Sequence, residues 1–310
     1  MRPRAALPSV VALCASAVLV AGGPPCSQAA PHVLSVGATA SDAQRSPTGL
    51  VAFTLGPYPR QEIYVVKADG SGLKRLTTDA NADFDPSWSP DGRRIAYRHQ
   101  RGEDESTSEI YVMNADGSQP RNLTRHRGQD HSPAWSPDGK SIAFASARGG
   151  RLAIWVMRMD GSRQRRLSRV DGEYPAWSPD GKKIAFDRNR LGWTGWDLWT
   201  MNADGSHAKP VVASRGQDQG ASWSPDGTTI AFQSDRGSSG ALNHIWLTNV
   251  NGSAQRRLTT GPGERPSWSQ DGAYIVFTAG GLFVVRRDGS GLTEVKVQVP
   301  GEASLSDWTR

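Results

Sequence analysis

The sequence predicts an all-β fold, a ring of six blades that are each a four-stranded antiparallel sheet. Three observations predict it. A ten-residue phrase, Trp135-Ser136-Pro137-Asp138-Gly139-Lys140-Ser141-Ile142-Ala143-Phe144, recurs as Trp88 to Tyr97, Trp177 to Phe186, Trp223 to Phe232 and Trp268 to Phe277. Its Trp anchors, at 88, 135, 177, 223, 268 and 308, lie 47, 42, 46, 45 and 40 residues apart, a period that marks a repeat array. Within a unit the apolar residues fall into short runs separated by Asp-Gly turns, with no helical spacing.

Each unit reads as two hairpins. In the first, Gly92, Gly139, Gly181, Gly227 or Gly272 turns the chain between the Trp strand and an Ile-Ala-Phe-type strand. In the second, an apolar run such as Ile110-Tyr111-Val112-Met113 meets a turn and returns as a basic run ending in Leu-Thr, as in Arg121-Asn122-Leu123-Thr124. Those turns are Asp69-Gly70, Asp116-Gly117, Asp160-Gly161, Asp204-Gly205, Asn251-Gly252 and Asp288-Gly289, pairs that accept the positive φ of a tight hairpin. Four short strands per unit make a β-propeller blade. There are six turns of the second kind and five of the first. The first unit begins at Gly49-Leu50-Val51-Ala52-Phe53 without a Trp strand, and the chain ends on Ser304-Leu305-Ser306-Asp307-Trp308. Joining the two gives a six-bladed propeller closed by its C-terminal strand, which completes the first blade and removes the open edges.

The phrase Pro-x-Trp-Ser-Pro-Asp-Gly-x-x-Ile-Ala-Phe, followed by Ile-Tyr-Val-Met-Asn-Ala-Asp-Gly-Ser and Leu-Thr, resembles the WD40-like repeat of the TolB propeller family, over roughly residues 49–310. The resemblance implies a fold and leaves function open, because propellers host many unrelated roles. TolB itself carries a folded domain ahead of its propeller. Residues 30–48, small and polar, read as a flexible linker too short for such a domain, so a translocation role of the TolB kind is not expected.

Residues 1–29 read as a secretory signal: Arg2 and Arg4, an apolar core from Val10 to Ala21, and the small-residue site Ser27-Gln28-Ala29. The apolar run is shorter than the 18 or so residues of a membrane span. An exported protein, periplasmic or extracellular, is expected, with lipid anchoring through Cys26 as the alternative; Pro24 and Pro25 fit that alternative poorly. Cleavage after Ala29 removes Cys14 and Cys26, leaving stability to a large core, and lowers the formal charge from +6 to +4 because Arg2 and Arg4 go with it. The basic pairs Lys74-Arg75, Arg165-Arg166 and Arg256-Arg257 fall on fourth strands, where charge protects sheet edges. Spread around the rim, they are no nucleic-acid footprint.

Function is expected on the face that carries the variable loops, His99 to Ser108, Ala147 to Arg151, Asn189 to Trp196 and Asp235 to Asn243. Trp193 and Trp196, in Leu191-Gly192-Trp193-Thr194-Gly195-Trp196, occur in one blade only. They are either exposed anchors for a partner or a seal folded over the fourth blade. Asp83, Asp130, Glu173, Asp218 and Glu264, with Glu302, precede the Trp strands at nearly equivalent positions and are expected to ring the channel mouth. They suit a hard cation such as calcium, the one cofactor expected of them, or else they cap backbone N–H groups or pair with Arg148, Arg188 or Arg236. His99, His126 and His131 form a second candidate metal cluster, at irregular spacing. His207 and His244 have no visible partner in the sequence.

No Gly-x-Ser-x-Gly elbow, His-Glu-x-x-His helix or phosphate-binding glycine loop is present. The expected function is therefore a non-catalytic exported monomer that binds a protein or peptide in the cell envelope. The alternative is a polysaccharide lyase or glycosidase at the channel mouth, for which carbohydrate is the ligand.

Overall fold

The structure, a computed structural model, describes residues 47–308 apart from 127, 190–194, 239–241 and 298–302; the expected signal, the expected linker up to residue 46 and Glu302 lie outside them. Six four-stranded antiparallel sheets follow one another along the chain. The second blade, typical of the set, runs Ala82–Trp88, Arg94–Gln100, Glu109–Asn114 and Arg121–Asn122 from the axis outward. Blades three to six begin with the inner strands Asp130–Trp135, Glu173–Trp177, Asp218–Trp223 and Glu264–Trp268. In the first sheet Leu50–Leu55 pairs with Glu62–Lys67 on one side and with Ala303–Trp308 on the other.

Each piece of the repeated phrase has a local cause. The Ser136 hydroxyl donates to Asp138 Oδ1 at 2.6 Å, Lys140 N–H donates to the same oxygen at 3.0 Å, and Ser141 N–H donates to Ser136 Oγ at 3.0 Å. Pro-Asp-Gly therefore closes a turn whose polar groups satisfy one another, and Ser89, Ser178, Ser224 and Ser269 repeat it. In the second hairpin the requirement for glycine is steric. A Cβ on Gly117 or Gly161 would stand 2.7 Å from the carbonyl oxygen of Leu76 or Leu123 in the preceding blade. The Leu-Thr ending divides its work: Leu76 and Leu123 enter the core, while Thr77 and Thr124 accept the N–H of Ile63 and Ile110 at 2.9 and 3.0 Å.

The core lies between blades. Ala52, Ile63 and Val65 of the first blade pack on Trp88, Ile95 and Met113 of the second, and five further clusters repeat the arrangement. One of them joins Val51, Phe53 and Val66 of the first blade to Val276, Leu282 and Val284 of the sixth, so the blades form a ring. Phe53, Phe144, Phe186, Phe232 and Phe277 are fully buried, where truncation to alanine costs about 3–5 kcal/mol. Lys74-Arg75 and Arg256-Arg257 form short, exposed outer strands, as expected of protected edges.

The feature that shapes the axis is a bulge in the inner strand of blades two to six, between Phe84 and Ser87 and at each equivalent place. Asp85, Ser132, Tyr174, Gly220 and Arg265 take φ values of 53°, 52°, 51°, 67° and 52° there. For the four non-glycine residues this is strained backbone, of order 1–3 kcal/mol each, held in place by the surrounding sheet.

Candidate functional site

The bulge layer stands at the axis and lines a cavity of ≈ 160 Å³. The cavity lies in the half of the channel toward the Pro-Asp-Gly turns, walled by Pro86, Pro133, Pro175 and Pro266 and the small residues that follow them. The walls repeat from blade to blade, whereas the bulge layer differs at every position: a carboxylate, a hydroxyl, a phenol, a glycine and a guanidinium.

A polar network holds this layer. Asp85 Oδ2 accepts from the Ser132 N–H at 3.1 Å and the Ser132 hydroxyl at 3.2 Å. Asp187, on the second strand of the fourth blade, accepts the Gly220 N–H of the fifth at 2.8 Å, and Gln233 likewise accepts the Arg265 N–H of the sixth at 2.9 Å. A side chain of one blade thus caps the bulge of the next. The Arg265 guanidinium lies 3.9 Å from the centre of the Tyr174 ring. Burial works against its charge, and Tyr174, Asp85 and Asp187 outweigh burial, so Arg265 is held more firmly protonated than usual. Burial pushes the Asp187 carboxyl well above the ordinary carboxylate range.

On the loop side of this layer His131 Nε2 stands 3.7 Å from Glu173 Oε2. Burial pushes Glu173 up to about 7 and His131 down to about 4, with Arg98 adding to the effect on the histidine. Near neutrality His131 is uncharged and Glu173 is half protonated.

The structure divides the five expected acids into two sets. Asp83, Asp130 and Asp218 stand opposite His99, Ser146 and Ser234 on the neighbouring strand and are fully buried. Glu173 and Glu264 stand opposite Asp187 and Thr278, one residue further along, where the other blades carry Phe84, His131 and Gln219. A one-residue offset turns a side chain to the other face of the strand, so the expected ring of equivalent acids is corrected. In blades four and six the aspartate position is Gly172 and Gly263, where a Cβ would meet Phe186 at 2.6 Å and Ile245 at 2.8 Å.

The buried acids have specific partners. The Arg148 guanidinium donates to both Asp130 oxygens, at 2.6 and 3.3 Å, and Arg236 lies 3.6 Å from Asp218. Glu264 accepts from Asn243 at 3.1 Å. Arg188, the third expected partner, lies over the Trp199 ring at 4.3 Å. Asp83 accepts from His99 Nδ1 at 2.8 Å. Burial opposes charge on both members of that pair; it raises the Asp83 carboxyl, while the Asp83 contact outweighs it at His99 and raises the imidazole.

The expected histidine cluster is also corrected. His131 is buried on its strand beside Ser132 and Tyr174, and His126 is exposed in an interblade connection. Among the described residues the set able to present three ligand atoms together is Asp79, Asp83 and His99, all within 4.8 Å of one another. It includes none of the other four acids. Trp196 is 7% exposed at the start of the strand Trp196–Asn202, paired with Asn189, so it is core and not an exposed anchor. Trp193 lies outside the described residues. Of the two remaining histidines, His207 contacts Asn202 and Ser206, and His244 contacts Gly261 O and Arg257.

Residues 50–151 match the tricorn protease N-terminal beta propeller domain, and residues 171–298 match the TolB beta propeller domain. The chain carries a TolB-type six-bladed β-propeller. Its fold is similar to TolB from Acinetobacter baumannii, at 24% identity and a TM-score of 0.71, covering 84% of this chain and 66% of that one. The putative TolB from Agrobacterium tumefaciens is 20% identical with a TM-score of 0.66, covering 83% of this chain and 91% of that one. Tricorn protease is 17% identical with a TM-score of 0.64, covering 81% of this chain and 26% of its own. The propeller thus spans a little under two thirds of the first of these proteins and about a quarter of the third. A search of curated proteins found no match.

The bulge residues Asp85, Ser132, Tyr174, Gly220 and Arg265 were missed by the sequence reading. The signal lay in the repeats: aligned on their Trp anchors, this position changes chemistry in each of blades two to six, while the next residue is proline in four of them and the one after it is Ser or Ala.

Proposed function

We propose that this propeller is a non-catalytic, exported binding module that takes a protein or peptide partner at its axial channel. The observation that carries the reading is the contrast between repeated walls and a base that differs in every blade. A structural role repeats with the blade, whereas recognition of a directional ligand breaks the symmetry. Arg265 and Asp85 offer opposite charges at that base, Tyr174 offers a phenol, and the proline walls are rigid and already in place. A pre-formed concavity with few convergent polar groups is the usual form of a binding site.

The test uses envelope extract and two variants, with melting as the control because Ala221 also packs against the core between blades four and five. Ala221→Trp fills the channel, and Tyr174→Phe keeps the ring under Arg265 while removing the hydroxyl. A partner retained by the wild type and lost from Ala221→Trp, with at least tenfold weaker binding to Tyr174→Phe and unchanged melting, supports the channel. Equal recovery by all three proteins sinks it.

A second reading, a lyase or glycosidase at the channel mouth, is favoured by one observation, the pairing of Glu173 at about 7 with a neutral His131. Turnover of a polysaccharide that disappears in Glu173→Gln would put this reading first.

A further inference from the structure

The buried aspartate at the head of the inner strand is matched by a cation in two blades. Asp130 has Arg148 and Asp218 has Arg236, in each case 18 residues further on. In the second blade the residue 18 beyond Asp83 is Arg101, and it is turned outward. Its side chain is 63% exposed, and it reaches the Tyr111 hydroxyl at 3.3 Å and Glu109 at 4.0 Å. The place that a guanidinium occupies in the sister blades is taken instead by the His99 imidazole, with a second carboxylate, Asp79, 3.9 Å from Nδ1. Asp83 itself is fully buried, and among the described residues its Oδ2 has no hydrogen-bond partner. Two carboxylates and an imidazole converge where the fold elsewhere puts a positive charge.

We propose that Asp79, Asp83 and His99 form a site for a divalent transition-metal ion, which supplies in this blade the positive charge that arginine supplies in the other two. Zinc binds imidazole nitrogen and carboxylate oxygen at about 2.0–2.2 Å, so two donors on a tetrahedral ion stand about 3.4 Å apart. The observed separations from Nδ1, 2.8 Å to Asp83 and 3.9 Å to Asp79, lie on either side of that value. Asp83 and His99 are fixed on paired strands, while the Asp79 side chain is 53% exposed and, with Oδ1 accepting the Asn81 N–H at 2.8 Å, turns Oδ2 toward the longer gap. The ion takes the Nδ1 lone pair, so the imidazole proton sits on Nε2 and the proton shared by His99 and Asp83 is released. The remaining coordination position faces the exposed side, where water completes the shell. The imidazole selects zinc or its neighbours over calcium, which prefers an all-oxygen shell. Asp79 lies in the connection from the first blade and the other two ligands in the second, so the ion ties adjacent blades together.

The experiment titrates the full chain with zinc by calorimetry and follows melting in parallel. The expected result is one equivalent bound by the wild type, a melting temperature raised by saturating zinc, and no competition from a hundredfold excess of calcium. Asp79→Asn, which alters an exposed side chain only, is expected to weaken binding at least tenfold and to lose the zinc-dependent rise in melting. His99→Gln is expected to abolish both. Zinc bound equally by wild type and Asp79→Asn, or no saturable zinc on the wild type, overturns the proposal and leaves protonated His99 as the cation that faces Asp83.

Discussion

Replacing Glu173 by glutamine tests the electrostatics of the channel mouth directly. In the folded protein burial holds the Glu173 carboxyl at about 7, against 4.5 for the free group. A folded value above the unfolded one means that the folded state retains a proton the unfolded chain has released. The stability this contributes is fully present below pH 4.5 and is lost as pH rises through 7. The loss from 4.5 to about 7 amounts to about 3 kcal/mol, and this is a ceiling, because about a fifth of the side chain meets solvent. His131 acts in the opposite sense. Its folded value of about 4 lies below 6.5, so it withdraws stability as pH falls through that window. Glutamine is a neutral stand-in for the protonated acid, and a difference between variant and wild type cancels the histidine and every other group the two share. Urea unfolding at pH 4 to 8.5 should give a difference near zero at pH 4 that grows to between 1 and about 3 kcal/mol in favour of Glu173→Gln by pH 8. A flat difference curve, or a variant less stable than the wild type at pH 8, refutes the desolvated carboxylate.

Two further outcomes are expected. Arg148→Ala leaves Asp130 charged and buried and removes the guanidinium from the Phe144 and Trp155 rings, so denaturant unfolding should show a loss of about 3–5 kcal/mol; a loss below about 1 kcal/mol would mean that water reaches Asp130. Deleting residues 303–310 removes the strand paired with Leu50–Leu55 and the Asp307 carboxylate that accepts from Trp88 N–H and the Ser267 hydroxyl, one in the second blade and one in the sixth. If that strand latches the ring, thermal unfolding should show a loss above about 4 kcal/mol or no cooperative transition, and near-wild-type melting would place closure in the packing of blades one and six alone.

Most of the fold was legible because each repeated residue acts within its own hairpin or on the next one. Ser136 and Asp138 close a turn that a five-residue window contains, and Thr124 caps a strand 14 residues away in the same hairpin. Site residues were harder, because their surroundings come from two or three blades at once. The acids show where the limit lay. Asp83, Asp130 and Asp218 stand five residues before their Trp anchors, and Glu173 and Glu264 stand four, so counting alone separates the two sets. What counting does not supply is that the odd set points into the interblade core, which became clear from Gly172 and Gly263, placed where a side chain would strike a buried phenylalanine or isoleucine. Trp196 misled for a related reason. Its Gly-rich flank suggests an exposed loop, yet it sits opposite Asn189 as the first residue of a strand, and an apolar ring in that place is drawn into the blade.

The same reasoning explains why the axis is the place to look for function. The constant positions of the repeat are all engaged in turns, caps and interblade packing, and each has a role that any one blade would need. At the bulge position Asp85 has such a role, since it caps the Ser132 bulge of the next blade, whereas glycine fills the position in the fifth blade and suffices there. Bulky residues in a left-handed conformation cost more than glycine does, so the strain accepted at Tyr174 and Arg265 brings nothing to the blade itself. What those side chains add is a cation stacked on a phenol, facing Asp85 across the channel. That charge arrangement belongs to the axis as a whole, where all six blades meet.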